Sequence, residues 1–331
     1  MKTKLFTLCF AALLICTTSF AKIWRVNNNT GVTADFTTAQ AANDAASVLA
    51  GDTIHLEPST TIYGGLNCTK RLTWISTGAF LNIHPNEQFS PNVGKLDNLT
   101  AYQAGCDNSV FHVYVNGSIS VDQQGLRVDR CYAGGEIAIE NYGVPASNIV
   151  IINCYSKSGM RIATGNNTVV TNNIFEGQLD VNSINTLAVI THNVFNAVST
   201  DGTSVNNSIV ENNIFNKAGS AYTFINSTVQ YNMAGAAGVL PAGSNNQNGV
   251  DMSTVFVNNS GTDDASFVLK AGSPALGAGS GTPAVNLGAY GGSSPFKLAL
   301  QPAIPAIYKI QAPAAPSGNT LNVTFSTKSN N

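Results

Sequence analysis

One basic side chain surrounded by acidic ones is the part of this sequence whose residue types and spacing point to chemistry. Arg161 and Asp180 hold the same position in two short segments of alternating apolar and polar residues, and Glu136 and Glu140 lie in a third. Every second side chain of a β-strand points to the same face. If such segments lie side by side, the carboxylates gather around the guanidinium of Arg161. The segments are "SISVDQ" (118–123), "EIAIEN" (136–141), "GMRIAT" (159–164) and "QLDVNS" (178–183).

An acidic groove with one guanidinium has a definite chemical use. Asp122, Glu140 and Asp180 supply hard oxygen ligands of the kind that calcium prefers. Arg161 is the candidate catalytic residue, because a guanidinium can grip the carboxylate of an acidic sugar or act as a base. The candidate substrate-binding residues are Glu136, Asp180, Gln178 and Asn182. A plainer interpretation stays open: the exposed face of a soluble repeat protein must be polar, and Arg161 then simply pairs with nearby acids.

A repeat predicts the elements that must position these residues. One residue type recurs at intervals of 19 or 20 from position 173 onward, each time after a short β-branched run. A period near 20 residues built from short strands predicts a solenoid, in which each coil buries its apolar face on its neighbours. We interpret the asparagines of this column as a structural ladder that also takes the left-handed backbone of the turn. The column holds Cys131, Cys154, Asn173, Asn193, Asn213 and Asn232.

The alternating segments indicate a parallel β-helix. A leucine-rich horseshoe has a similar period, but its L-x-x-L-x-L frame and its helices are missing from the repeats. Successive coils should lie about 4.8 Å apart with like residues stacked on one another, as Phe175, Phe195 and Phe215 would be. The inward columns are predicted to be Ile119, Ile137, Met160 and Leu179, and then Val121, Ile139, Ile162 and Val181.

The two ends of the chain differ from the repeats. Residues 1–21 have the charged start, apolar run and small-residue site of a secretory signal peptide, with cleavage predicted after Ala21. Residues 35–52 predict a short capping helix that begins at Thr37 or Thr38, ends at Gly51 and buries Ala41, Ala45, Val48 and Leu49. We assign residues 22–296 to the β-helix and residues 297–331 to a Pro-rich segment plus one C-terminal strand, "LNVTFST".

Composition excludes several classes of function. Without the two lysines of the predicted signal peptide, 14 basic groups face 18 acidic ones, a balance near −4 that does not attract nucleic acid. No later stretch is apolar enough to cross a membrane, so no transmembrane segment is predicted. Four cysteines remain, without C-x-x-C spacing, and their pairing is left open. The oligomeric state is also left open.

Three stretches carry a resemblance to a known family: "AGDTIHLEPSTTIYGG" after the predicted helix, the "NNIF" repeats, and "GSPALGAG" followed by "NLGAYGG". In these the chain resembles right-handed parallel β-helix proteins of the pectin-lyase-like fold, and more narrowly exported β-helix proteins of the Bacteroidetes type. The closing motif of such proteins usually carries Asp where this chain has Asn286. Proteins of this fold include polysaccharide lyases, glycosidases, esterases, adhesins and non-catalytic surface proteins, and the resemblance implies a function within this range.

Within that range we predict a secreted or cell-surface protein that recognises an extracellular polysaccharide. If the protein is an enzyme, a lyase is favoured, because the G-H-G and R-I-K motifs of pectin-type glycosidases are missing and Asp263–Asp264 lies in a turn as solvated or turn-forming residues. The alternative is a non-catalytic cell-surface or adhesive structural protein. Arg127, Asp129 and Arg130 form a second charged patch, which we interpret as exposed ion pairs.

Overall fold

The computed structural model describes residues 21–142, 146–182, 187–197, 203–217 and 222–329. Almost all of the predicted signal peptide, residues 1–20, lies outside this set, so its cleavage stays a prediction. No helix within the described ranges is long and apolar enough to span a membrane.

Three parallel sheets form a β-solenoid of about eight turns, which confirms the predicted fold class. From β4 onward the chain visits sheets I, II and III in turn, so sequential strands there lie in different sheets and neighbours in a sheet are one coil apart. Strands are numbered β1 to β28 in chain order. Sheet I contains β1 Ile23–Val26, β2 Thr53–Leu56, β4 Thr73–Ile75, β7 Val110–His112, β10 Arg127–Asp129, β13 Val150–Ile152, β16 Thr168–Thr171, β19 Ala188–Thr191, β22 Ser208–Glu211 and β25 Thr228–Gln230.

The other two sheets have eight strands each. Sheet II contains β5 Lys95–Leu96, β8 Tyr114–Val115, β11 Tyr132–Ala133, β14 Tyr155–Ser156, β17 Ile174–Phe175, β20 Val194–Phe195, β23 Ile214–Phe215 and β26 Met233–Ala234. Sheet III contains β3 Leu66–Asn67, β6 Leu99–Ala101, β9 Ile119–Val121, β12 Ile137–Ile139, β15 Met160–Ile162, β18 Leu179–Val181, β21 Ser204–Asn206 and β24 Thr223–Ile225.

Like residues stack along the solenoid axis, as the alternation predicts. Ile137 pairs with Met160 and Met160 with Leu179 in sheet III, and both predicted inward columns are buried. Phe175, Phe195 and Phe215 stack with ring centroids 5.3 and 5.2 Å apart and are buried in the core. Parallel in-register pairing therefore converts a repeated sequence into continuous apolar columns.

The asparagine ladder is confirmed, and it is fully buried. Asn193 Nδ2 donates to Asn213 Oδ1 at 3.0 Å and to the Val170 carbonyl at 2.9 Å, while its own Oδ1 accepts from Asn173 Nδ2 at 2.9 Å. The same pattern joins Asn213 to Asn232. The stretch at 235–249, which reads as a loop, adds a further rung, because Asn232 Nδ2 donates to Asn246 Oδ1 at 3.1 Å.

The left-handed backbone was assigned to the wrong residue of each pair. Positive φ belongs to the position just before the ladder residue, so Asn172 (56°) and not Asn173 makes the turn. A ladder amide needs strand-like geometry to meet the coils above and below, whereas the preceding residue turns the corner between sheets I and II. We call this outward set the corner column: Arg130, Asn153, Asn172, His192, Asn212 and Tyr231.

The capping helix α1 spans Ala39–Asp44 and packs against β1 and β3. Thr38 caps its N-terminus as predicted, because its Oγ1 accepts from the Ala41 N–H at 3.2 Å. The helix ends at Asp44, well before Gly51, because the backbone of Ala45 is extended (ψ 128°); the Ala45 and Val48 carbonyls accept from Lys70 Nζ at 2.6 and 3.1 Å. The predicted apolar face is accordingly wrong in part: Val48 is buried, but Ala41 and Leu49 are exposed.

The C-terminal part of the chain folds back along the coils. Asp264 is buried, whereas the sequence favoured a solvated or turn-forming carboxylate; it accepts from the Ala299 N–H at 2.6 Å and lies 2.7 Å from His84 Nε2. Asp263 does form a turn, because it accepts from the Ser266 N–H at 2.8 Å. The predicted terminal strand is part of a hairpin, in which β28 Thr324–Lys328 pairs with β27 Ala306–Gln311.

All four cysteines of the described chain are free and buried. Cys131 and Cys154 stack in the ladder column as predicted, and the Cys154 N–H donates to Asn173 Oδ1 at 2.7 Å. The Cys131 thiol donates to the Phe111 carbonyl at 3.1 Å. Burial raises the pKa of Cys154, so its thiol stays protonated and acts as a small core residue.

Replacing one rung tests how much the ladder contributes. Asn193→Ala removes a buried amide and leaves the Asn173 N–H and the Val170 carbonyl without that partner, while Asn213 Oδ1 keeps the Asn193 N–H as a donor. Unsatisfied buried groups cost about 1–3 kcal/mol each, so we expect the free energy of unfolding to fall by about 2 kcal/mol or more. Chemical denaturation followed by circular dichroism measures this, with the exposed Asn322→Ala as control. Equal stabilities of the two variants would contradict a stabilising ladder.

Candidate functional site

The predicted charged face exists on the outer side of sheet III. Ser120, Ala138, Arg161 and Asp180 pair in register across β9, β12, β15 and β18. Their neighbours at alternate positions point into the core, so this row points outward. Arg161 and Asp180 are partly exposed, whereas Ala138 is buried although it lies in the outward row.

Arg161 is held by two carboxylates. Its Nη1 and Nη2 donate to the two oxygens of Glu140 at 3.0 and 2.6 Å, and its Nε donates to Glu136 at 3.1 Å. The Glu140 hydrogen bonds and both negative charges raise the pKa of Arg161 further above its ordinary value, outweighing a smaller effect of burial. A base needs a lowered pKa, so this geometry favours a fixed cation over a proton acceptor.

Asp180, Gln178 and Asn182 lie at the next coil, as the strand alignment predicts. Burial raises the pKa of Asp180, while the charge of Arg161 lowers it to a smaller extent. Asn182 Nδ2 donates to Asp180 Oδ2 at 3.4 Å. Gln178 is engaged by the following coil, because Thr203 Oγ1 donates to its Oε1 at 3.2 Å. Asp180 is therefore the most available acceptor of this row.

Asp122 does not lie on the open face. Its carboxylate is buried: Oδ2 accepts from the Tyr142 N–H at 2.6 Å, and Oδ1 has no hydrogen-bond partner among the described residues. Burial, with a smaller contribution from the charge of Glu140, raises the pKa of Asp122.

The predicted calcium ligands do not fit a metal site. Asp122 is buried away from the outward row, and both oxygens of Glu140 are taken by Arg161. Across the ranges that the structure describes, no group of three acidic, histidine or cysteine side chains is placed to hold a metal ion. No step of the function is therefore assigned to calcium.

Two tyrosines border the charged face. Tyr142 is 68% exposed, and its ring centroid lies 4.7 Å from that of Tyr102, which follows β6 two coils away. The contact between Tyr102 and Tyr142 was not predicted from the sequence, because nothing in the repeat indicates that the two rings meet. In sheet II, Tyr132 and Tyr155 stack with parallel rings 6.0 Å apart, and Tyr155 is buried. These two cover the edge of the core.

Comparisons with known proteins return no match: no family model, no curated protein and no solved structure aligns with this chain. The parallel β-solenoid is therefore the level of classification that the structure itself supports. The narrower resemblance to pectin-lyase-like exported proteins stays a prediction from the sequence.

The buried Asp122 carboxyl gives a pH-dependent prediction. Because its pKa is higher in the folded than in the unfolded chain, the folded state binds more protons above about pH 4, and ionisation of Asp122 destabilises the fold as the pH rises. Asp122→Asn keeps an acceptor for the Tyr142 N–H but cannot ionise, so the variant does not lose stability from this position as the pH rises. We expect the melting temperature of the variant, relative to the unmodified protein, to rise by a few degrees between about pH 4 and pH 7.

A carboxylate with the opposite shift is the matched control. Hydrogen bonds from Ser253 lower the pKa of the exposed Asp251, so ionised Asp251 stabilises the folded state above the pKa of the unfolded chain. Asp251→Asn should therefore be less stable than the unmodified protein by a constant amount between about pH 5 and pH 7, and this difference should shrink as the pH falls below about 4. Thermal melts followed by circular dichroism distinguish the two signs. A pH-independent difference for Asp122→Asn would contradict the assigned burial effect.

Proposed function

We propose that this protein binds an extended carbohydrate chain along the outward face of sheet III, outside the cell that makes it. The observation that carries the proposal is the exposed Tyr142 ring beside a row of polar side chains. An aromatic ring offers a flat apolar surface to the C–H face of a sugar, and adjacent carboxylate and hydroxyl groups pair with sugar hydroxyls.

The geometry of the row favours a polymer over a compact ligand. Ser120, Ala138, Arg161 and Asp180 follow one another along the axis at the coil spacing of about 4.8 Å. A flat, regularly spaced face offers the same kind of contact to successive units of a chain. The face has no deep cavity of its own among the pockets found in the described structure.

The charge of the face narrows the ligand class. Glu136, Glu140 and Asp180 supply three carboxylates against the single guanidinium of Arg161, a balance of −2 when all are ionised. A polyuronate is repelled by this field, whereas a neutral or amino-bearing polysaccharide is not. We therefore propose binding of a neutral or amino-bearing chain, and not β-elimination on a uronate, as the activity of sheet III.

A second candidate function has a specific observation in its favour. The guanidinium of Arg161 is already paired with Glu136 and Glu140, as expected if the cluster only stabilises the surface of a structural or adhesive solenoid. In this alternative the ladder and the stacked coils serve a structural or adhesive role by themselves, and the protein retains no polysaccharide.

Removing the exposed ring tests the carbohydrate proposal. Tyr142→Ala should weaken retention on the best neutral or amino-bearing polysaccharide by about fivefold to tenfold, since an aromatic contact contributes on the order of 1 kcal/mol. Affinity electrophoresis on a panel of neutral, amino-bearing and acidic polysaccharides measures the change. Phe325→Ala, which removes another largely exposed ring from the terminal hairpin, is the matched control and should change nothing.

The same panel separates the alternatives. If the unmodified protein is retained on none of the polysaccharides, the structural or adhesive alternative is supported. Release of unsaturated products from an acidic polysaccharide, abolished in a folded Arg161→Ala variant, would overturn the binding proposal and establish a lyase. If Tyr142→Ala and Phe325→Ala are retained equally, the polysaccharide does not bind at the face of sheet III that Tyr142 borders.

A further inference from the structure

The carboxylate of Asp52 joins the first coil to the segment that follows the capping helix. Asp52 is 5% exposed. Its Oδ2 accepts from Trp24 Nε1 at 2.8 Å and from the Leu49 N–H at 2.9 Å. Its Oδ1 accepts from the Lys22 N–H at 2.9 Å. One side chain therefore connects β1, the residues after α1 and the start of β2.

The negative charge of Asp52 is stabilised mainly by neutral donors. Burial raises the pKa of this carboxyl, but the hydrogen bonds from Lys22, Trp24 and Leu49 outweigh burial and hold the pKa below its ordinary value. The charge of Lys22 Nζ contributes less, and this ammonium group lies over the Trp24 ring, 3.2 Å from its centroid. Asp52 forms no ion pair with a side chain in the described ranges. A positive charge placed on one of its donors would therefore strengthen the contact.

The donor to Asp52 Oδ1 belongs to the residue that follows the predicted cleavage point. Cleavage after Ala21 makes Lys22 the first residue of the processed chain. Ala21 and Lys22 are both exposed, so the peptide bond between them lies at the surface. The Lys22 carbonyl accepts from the Thr53 N–H at 2.9 Å. The predicted cut therefore falls where the hydrogen bonding of sheet I starts.

Hydrolysis of that bond changes the chemistry of the donor at Oδ1. As the C–N bond breaks, water gives its hydroxyl to the Ala21 carbonyl carbon. The other hydrogen of the water and the proton of the new Ala21 carboxyl go to the Lys22 nitrogen. The amide N–H becomes an α-ammonium group with three donors and a positive charge. The distance of 2.9 Å to Asp52 Oδ1 is already that of a charge-assisted hydrogen bond.

We propose that the α-ammonium group created at Lys22 by cleavage after Ala21 forms an ion pair with Asp52 and thereby stabilises the first coil of the solenoid. β1 is the first strand of sheet I, at the end of the solenoid where no further coil covers it. A cut one residue away would displace the ammonium group by about 3.8 Å, the distance between successive Cα atoms. The proposal concerns export and processing, and it does not depend on carbohydrate binding at sheet III.

Other cations near this end do not take the place of the α-ammonium group. Lys70 Nζ donates to two backbone carbonyls just after α1, and Arg71 is exposed. These two charges and the Lys22 side chain repel a new ammonium group, whereas Asp52 attracts it at hydrogen-bond distance. Because solvent screens exposed charges more than a contact with a buried carboxylate, we expect the attraction to exceed the repulsion.

Export of the full chain tests the proposal. The complete sequence is expressed in a secreting bacterial host, and mass spectrometry of the exported protein identifies its first residue, which we expect to be Lys22. Reductive methylation with ¹³C-formaldehyde then labels the α-amino group and keeps its charge and one N–H. An NMR titration compares its pKa in the folded and in the urea-unfolded protein. We expect the pKa to be higher in the folded protein by at least one pH unit.

Three variants connect that pKa to Asp52. Asp52→Asn removes the negative charge at nearly constant size, and should return the pKa of the α-amino group to its value in the unfolded chain. Trp24→Phe removes the indole donor but keeps the carboxylate, so the pKa should stay raised. Asp251→Asn, which removes an exposed carboxylate elsewhere, is the matched control and should also leave it raised. The titration of the unmodified protein decides the proposal even if a variant does not fold.

Stability should follow the same titration. A group whose pKa is raised by folding stabilises the folded state below its unfolded pKa, about 8 for an α-amino group, and loses this contribution as the pH rises through its folded pKa. Between about pH 7.5 and pH 10 we expect the melting temperature of the unmodified protein to fall by a few degrees more than that of Asp52→Asn.

Three results would overturn the proposal. The first is an exported protein that begins at a residue other than Lys22. The second is an α-amino pKa that is equal in the folded and the unfolded protein. The third is an equally raised pKa in Asp52→Asn. None of these results bears on the retention of Tyr142→Ala by polysaccharides, so failure here and failure of the sheet III proposal are separable.

Discussion

The rest of this structure depends on one constraint: each buried ladder amide must find hydrogen-bond partners on the neighbouring coils. Each ladder asparagine donates to the coil before it and to the coil after it, so one rung is complete only when its neighbours are in register. A slip of one residue would bury these amides without partners, at about 1–3 kcal/mol for each group. The ladder therefore fixes the register of all three sheets, including the row that carries Arg161 and Asp180.

The same requirement explains the corner column. An asparagine at the ladder position leaves the turn to the residue before it, which must adopt positive φ and point outward. Those outward side chains hold residues 277–301 against the coils, as the hydrogen bonds of Asn172 and Asn212 show.

Local periodicity predicted most of the fold. The 20-residue repeat and the two-residue alternation were enough to give the sheets, the inward columns and the pairing of Arg161 with Asp180, because parallel stacking makes three-dimensional neighbours from equivalent sequence positions. Contacts between non-equivalent positions were not predictable in this way. Lys70 binds the Ala45 carbonyl just after the helix, His84 pairs with the buried Asp264, and Tyr142 contacts Tyr102, each across a sequence separation that no repeat encodes.

Electrostatics restricts the ligand of the candidate surface more sharply than shape does. The outward row of sheet III gathers carboxylates around a guanidinium that is already paired, so the groups left to bind a ligand are hydrogen-bond acceptors and the Tyr142 ring. A neutral or amino-bearing glycan would complement this face, whereas a uniform polyuronate would be repelled by it.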